Sequence, residues 1–179
     1  MKKTTPLSWR QRGRRFAWAL LAISAVSANS IAAARTNSFP EPDQPSTLQF
    51  TATQAAARVH LDRFFQAVLV DDGLARMNAA VRVALPAPDG RQILVWITPF
   101  IAENGGYLGV PDGETAGNGA AELVSFNRSQ IVDWSFVGDD GRIYGNFATR
   151  LMLHTVLPAQ AGEIASILSE SPAPEEWLQ

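Results

Sequence analysis

The sequence predicts an antiparallel α+β domain, a sheet of about five strands with an amphipathic helix before it and helices after it. Three observations predict this. Leu61, Phe64, Phe65, Val68 and Leu69 recur at i, i+3, i+4, i+7 and i+8, the spacing of one helical face. Several short apolar runs follow, parted by tight-turn signals, and helical spacing returns only after Gly145. Strands gathered in the middle of a chain with helices at both ends form one antiparallel sheet with segregated helices.

The pattern changes from Thr51, with Thr53 as the N-cap of the helix, which stops at Asp71-Asp72-Gly73. Val81 to Leu85 alternates with period two, as a half-buried strand does, and Pro86 to Gly90 turns the chain. Ile93 to Ile97 is a continuous apolar run suited to the middle of the sheet. Glu103-Asn104-Gly105-Gly106 is a hairpin signal that leads into a third strand, Tyr107 to Val110. The Gly-rich stretch Pro111 to Ala121 has no apolar period and reads as a loop. Glu122 to Phe126 and Ile131 to Val137 supply two more strands, and Arg142 to Tyr144 can pair back across Asp139-Asp140-Gly141. Phe147, Leu151, Leu153 and Val156 indicate a helix ending at Pro158, and Gly162 to Leu168 a second.

Charge divides the 179 residues unequally. The first 34 hold six basic residues and no acid, whereas residues 35 to 179 hold nine basic against seventeen acidic residues, a balance of −8 with no lysine. The basic Lys2 to Arg15, the apolar Phe16 to Val26 and the small-residue end Ser30 to Ala34 have the tripartite form of a secretory signal. Cleavage is expected after Ala34, with Ala28 as the second choice and an uncleaved anchor as the alternative. No later run reaches 18 apolar residues, so no integral span is expected after signal removal, and a bacterial periplasm is the simplest destination. The expected organisation is a signal peptide over 1–34, a Pro-rich linker over 35–50, one domain over 51–169 and a tail over 170–179.

The absence of cysteine excludes disulfides, thiol nucleophiles and Cys-zinc sites together. His60 and His154 stand 94 residues apart in no ligand-pair motif, so no metal and no cofactor is expected. Asp112, Glu114 and Asn118 do not keep calcium-loop spacing. The Gly-rich loop lacks the Gly-Lys-Ser/Thr ending of a phosphate loop, and Gly117 to Glu122 breaks the dinucleotide fingerprint at its last position. A −8 domain with scattered arginines disfavours nucleic acid. Ser125, Ser129 or Ser135 with His154 and Asp133 would satisfy a serine triad only in composition, with no G-x-S-x-G elbow.

The most informative segment is Ile131-Val132-Asp133-Trp134 followed by Gly141-Arg142-Ile143-Tyr144-Gly145-Asn146-Phe147-Ala148-Thr149-Arg150. A carboxylate beside a Trp, two glycines four apart and a Thr-Arg pair at a helix start suggest an Asp133–Arg150 ion pair tying strand to helix. Arg150 as an anion receptor beside the Gly-rich loop is the functional alternative.

From about Ala55 to Leu153 the chain resembles the bacterial YegJ-like domain-of-unknown-function family 2314. The resemblance rests on the amphipathic helix, the Val81 to Ile97 hairpin with Trp96, the Gly106-Tyr107-Leu108-Gly109-x-Pro111 segment, and Ile131-x-Asp133-Trp134 with Gly141-x-x-x-Gly145-Asn146-Phe147-x-Thr149-Arg150. It implies a small α+β domain, often exported, and brings no established activity or cofactor. Members often carry an acidic residue with His or an aromatic before the Trp of the second strand, where this chain has Gln92-Ile93-Leu94-Val95.

The leading functional expectation is a non-catalytic periplasmic module that binds a protein or small-molecule partner, an immunity-like role being one form of it. A hydrolase using Asp133, Arg150 and His154 is the alternative, and an envelope-assembly or stress factor a third idea. The candidate structural or binding residues are Trp96, Asp133, Trp134, Gly141, Gly145, Asn146, Thr149 and Arg150.

Overall fold

The computed structural model describes residues 44–112 and 123–178. The expected signal peptide, most of the expected Pro-rich linker and all but the first two residues of the expected Gly-rich loop, Pro111 to Ala121, lie outside the described residues.

Helix α1 (Thr47–Val59) is followed by α2 (Leu61–Val68). The first helix starts earlier than the apolar period suggested, because a capping box fixes it. Ser46 Oγ accepts from the Gln49 N–H at 3.3 Å, and Gln49 Oε1 accepts from the Ser46 N–H at 2.7 Å. Thr53, expected to cap the helix, lies within it and donates its hydroxyl to the Gln49 carbonyl. At His60 the chain bends and α2 begins. Leu61, Phe64, Phe65 and Val68 are all buried, as their spacing predicted.

The strands are β1 (Ala79–Pro86), β2 (Gln92–Glu103), β3 (Gly106–Pro111), β4 (Val124–Phe126), β5 (Ile131–Val137) and β6 (Ile143–Gly145). They form one antiparallel sheet in the order β4-β3-β2-β1-β5-β6. The fold is α+β, with six strands in place of the expected five. The sixth is β6, which pairs Val137 with Ile143 and Ser135 with Gly145 across the Asp139–Gly141 turn. After β6 come α3 (Phe147–Met152), a 3-10 turn over Leu153–Thr155 and α4 (Pro158–Ile167).

Residues directly opposite in a ladder share a face. Val81 stands opposite both Ile97 and Trp134, and these three side chains enter the core beneath Phe64 and Phe65. Arg82 stands opposite both Trp96 and Asp133, so these three share the other face. The core is strongly aromatic. Trp134, fully buried, stacks on Phe64 with centroids 5.1 Å apart and meets Phe147 edge-on at 5.4 Å. Its indole N–H donates to the Ala57 carbonyl at 2.8 Å, which ties the last turn of α1 to β5.

The described part of the expected tail, residues 170–178, packs against the sheet through Pro172, Ala173 and Trp177. Leu168 bridges Ile143, the Gly145 N–H donates to the Pro172 carbonyl at 2.7 Å, and Ala173 is buried. Trp177 stacks on Phe136 at 5.5 Å and lies 5.7 Å from Trp134. A short edge strand that would expose its amides is thereby covered. Among the described residues no helix is long and apolar enough to cross a membrane.

Candidate functional site

Asp133 and Arg150 lie near one another but form no ion pair. Each is committed to backbone groups instead, which corrects the brace expected from the sequence. Asp133, 1% exposed, accepts from the Trp134 and Phe147 N–H groups through Oδ1, at 2.8 and 3.1 Å, and from the Ala148 N–H through Oδ2 at 2.9 Å. The first amides of a helix have no partner within it. Asn146, just ahead of α3, makes no side-chain cap, so Asp133 caps the helix from the neighbouring strand. Burial pushes the Asp133 carboxyl above the usual aspartate range, and the three N–H donors and the charge of Arg82 pull the other way.

Gly145 and Asn146 make this docking possible. Both are left-handed, with φ of +74° and +53°. The Asn146 N–H donates to the Trp134 carbonyl at 2.8 Å, and its side-chain amide donates to Ser135 Oγ at 2.9 Å. Thr149 reaches back to Asn146 Oδ1 at 3.4 Å. Gly141 shapes the β5–β6 turn, and a β-carbon there would meet nothing within 4 Å.

Arg150 clamps β6 to the C-terminal segment. Its Nε donates to the Gly145 carbonyl at 2.8 Å, Nη1 to the Ser169 carbonyl at 2.8 Å, and Nη2 to Ser169 Oγ at 2.8 Å and the Ile143 carbonyl at 3.2 Å. Ser169 Oγ in turn bonds the Ser171 carbonyl. Arg150→Ala is expected to cost about 2–4 kcal/mol, since it strips a charged donor from several carbonyls at once. The 168–177 segment should then be cleaved faster in limited proteolysis. An unchanged melting temperature and cleavage pattern would show that the clamp is dispensable.

Two clefts flank this end of the sheet. The larger, about 1090 Å³, runs between β6 and the C-terminal segment and is lined by Asp140, Arg142, Tyr144, Glu170, Glu175 and Glu176 among others. The smaller, about 330 Å³, lies on the other side of Tyr144 and is walled by Phe136 and Trp177, with Arg76 and Asn78 opposite. Tyr144 donates its hydroxyl to Asp140 Oδ2 at 3.0 Å, a bond that raises the phenol pKa. Arg142 donates to the Ser166 carbonyl and Arg150 makes its four bonds, so the two arginines of the larger cleft are bonded to carbonyl and hydroxyl groups and not to its acids.

The other candidates are dispersed. Asp133 lines neither cleft, and His154 is exposed on the 3-10 turn after α3. Trp96 lies on the far face of the sheet with Arg82. Among the described residues no three His, Asp or Glu gather closely enough to hold a metal ion. Sequence reasoning missed Arg82, the cleft acids and Trp177. Arg82 was nevertheless visible as the one charge in the alternating Val81 to Leu85 strand, and Trp177 as an aromatic in a supposed tail. Compared with protein-family models, curated proteins and solved structures, the chain matches none.

Proposed function

We propose that the protein is an exported, non-catalytic binding module of the cell envelope, and that its partner docks in the larger cleft through a basic segment. The observation that carries this reading is the division of labour among polar groups. Those that are buried, Asp133, Ser135, Asn146 and Ser169, are bonded to other parts of the fold, whereas Asp140, Glu170, Glu175 and Glu176 stand exposed around an open cleft. The four acids outnumber the two arginines that line the cleft, Arg142 and Arg150, and an excess of one sign favours a partner of the other and raises its rate of encounter. The −8 balance of residues 35–179 acts in the same direction. Export rests on the basic, apolar and small-residue order of the first 34 positions.

The test is crosslinking with mass spectrometry in the protein's own cells, comparing the unaltered chain with a Glu175→Lys, Glu176→Lys double variant. The expected result is a crosslinked envelope protein whose contact peptide is rich in Lys or Arg, captured at least about tenfold less by the variant, a difference of about 1.4 kcal/mol. Equal capture by both forms would refute the cleft as the docking site, and no crosslink at all would refute the module.

A further inference from the structure

Arg82 carries a donor that the fold leaves unpaired. It projects from the middle of β1, opposite Trp96 on one side and Asp133 on the other. Its guanidinium carbon lies 6.0 Å from the centroid of the Trp96 ring, within reach of a cation–π contact. Its Nε is shielded from solvent and has no hydrogen-bond partner, and it is the only buried side-chain nitrogen or oxygen among the described residues in that state. Asp133, the carboxylate whose charge acts on Arg82, spends its oxygens on the Trp134 amide and the α3 amides. A buried donor left unbonded typically costs about 1–3 kcal/mol, and folds rarely retain one without a use.

The ground around Arg82 is partly open, with Asp133 and Ser135 on the β5 side and the apolar Leu94 and Trp96 on the β2 side. Ala80 and Ala84, two residues away on the same strand, share its face and keep it low. Leu94, opposite Ala84, is 44% exposed, and Trp96 and Arg82 themselves are partly exposed. We propose that Arg82 and Trp96 form a receptor for a small monoanionic carboxylate with an apolar or aromatic body, on the sheet face turned away from α1 and α2.

The chemistry selects this class. A guanidinium offers parallel N–H donors that match a carboxylate, and the planar ring beside it accepts a flat apolar group. Asp133 on the same face and the negative balance of the domain repel a second negative charge, which disfavours phosphate. The site is separate from the acidic cleft, and each stands or falls without the other.

The test is a titration of the full chain, labelled with nitrogen-15, with sodium benzoate as the probe and inorganic phosphate as the comparison. The expected result is a saturable shift of the Arg82 Nε–H and Trp96 indole N–H signals together, with the buried Trp134 indole signal unmoved. Phosphate should bind at least about tenfold more weakly, and Arg82→Lys, which keeps the charge but loses the fork, should weaken benzoate by about tenfold or more. An Arg82 signal that benzoate does not move would overturn the proposal. So would phosphate binding as tightly as benzoate, or an unchanged affinity in Arg82→Lys. The unaltered chain decides the matter even where the variant folds poorly.

Discussion

Gly145→Ala is expected to cost at least about 4 kcal/mol in unfolding free energy, a size reached only where a change breaks a specific structural device. A β-carbon there would collide with the Trp134 carbonyl oxygen and lie 2.6 Å from Cε3 of the Trp134 ring and 2.9 Å from its carbonyl carbon. The backbone also holds φ at +74°, which side chains other than glycine rarely adopt. The chain cannot retreat from the collision without further loss. The Gly145 N–H is bonded to the Pro172 carbonyl, and the Asn146 N–H is bonded to the same Trp134 oxygen that the methyl would strike. Gly141→Ala is the control. Its φ of +75° is equally left-handed, but nothing lies within 4 Å, so only the conformational cost of about 1 kcal/mol remains. Urea unfolding of both variants separates steric from conformational cost, and equal losses would show that the contact with Trp134 does not matter.

That contrast also marks the limit of the sequence reading. Both glycines stood out equally in Gly141-x-x-x-Gly145, because composition registers a backbone requirement and not which β-carbon would meet a neighbour. The helical period is met, with Leu61, Phe64, Phe65 and Val68 on one buried face, whereas the strand period is met only over Val81, Arg82 and Val83, since Ala84 on the opposite face is buried too. The start of α1 was misplaced although Ser46-x-x-Gln49 is itself a capping signal, since three prolines just before it outweighed it. Long-range partners were the least legible. Asp133 and Arg150 are not joined as expected, because carboxylate and guanidinium attract each other in any sequence and the pattern alone does not show which other partners are in reach. Here the amides at the start of α3 and the carbonyls of β6 offered each a better-placed partner. The orphaned Nε of Arg82 follows from this same allocation, since the carboxylate that could have met it is taken.

Asp133→Ala should lower the unfolding free energy by about 3–5 kcal/mol, because removing one member of a buried charged network leaves the others unsatisfied. Three amide donors would lose their acceptor, two of them at the start of α3, and the helix that carries the Arg150 clamp would lose its cap. Asp133→Asn should cost less, about 1–3 kcal/mol, since the amide oxygen can still accept at the Oδ1 position while its NH2 would face the Ala148 donor. The pH dependence distinguishes this buried acid from ordinary surface carboxylates. Burial is the largest influence and raises the carboxyl pKa in the folded state. Between the ordinary aspartate value of about 3.9 and that raised value, the folded form binds more protons than the unfolded one. The stability that Asp133 contributes is therefore complete below the ordinary value and declines as pH rises through the raised one. Asn cannot titrate, so the stability of the unaltered chain minus that of Asp133→Asn should fall with rising pH across this window. A difference that rises instead would mean that the amide donors and Arg82 outweigh burial and hold Asp133 ionised. A helix cap that carries full charge and one that carries a proton differ in strength by roughly a factor of two per bond. The sign of that one curve therefore determines how firmly α3, and the C-terminal segment clamped to it, is attached to the sheet.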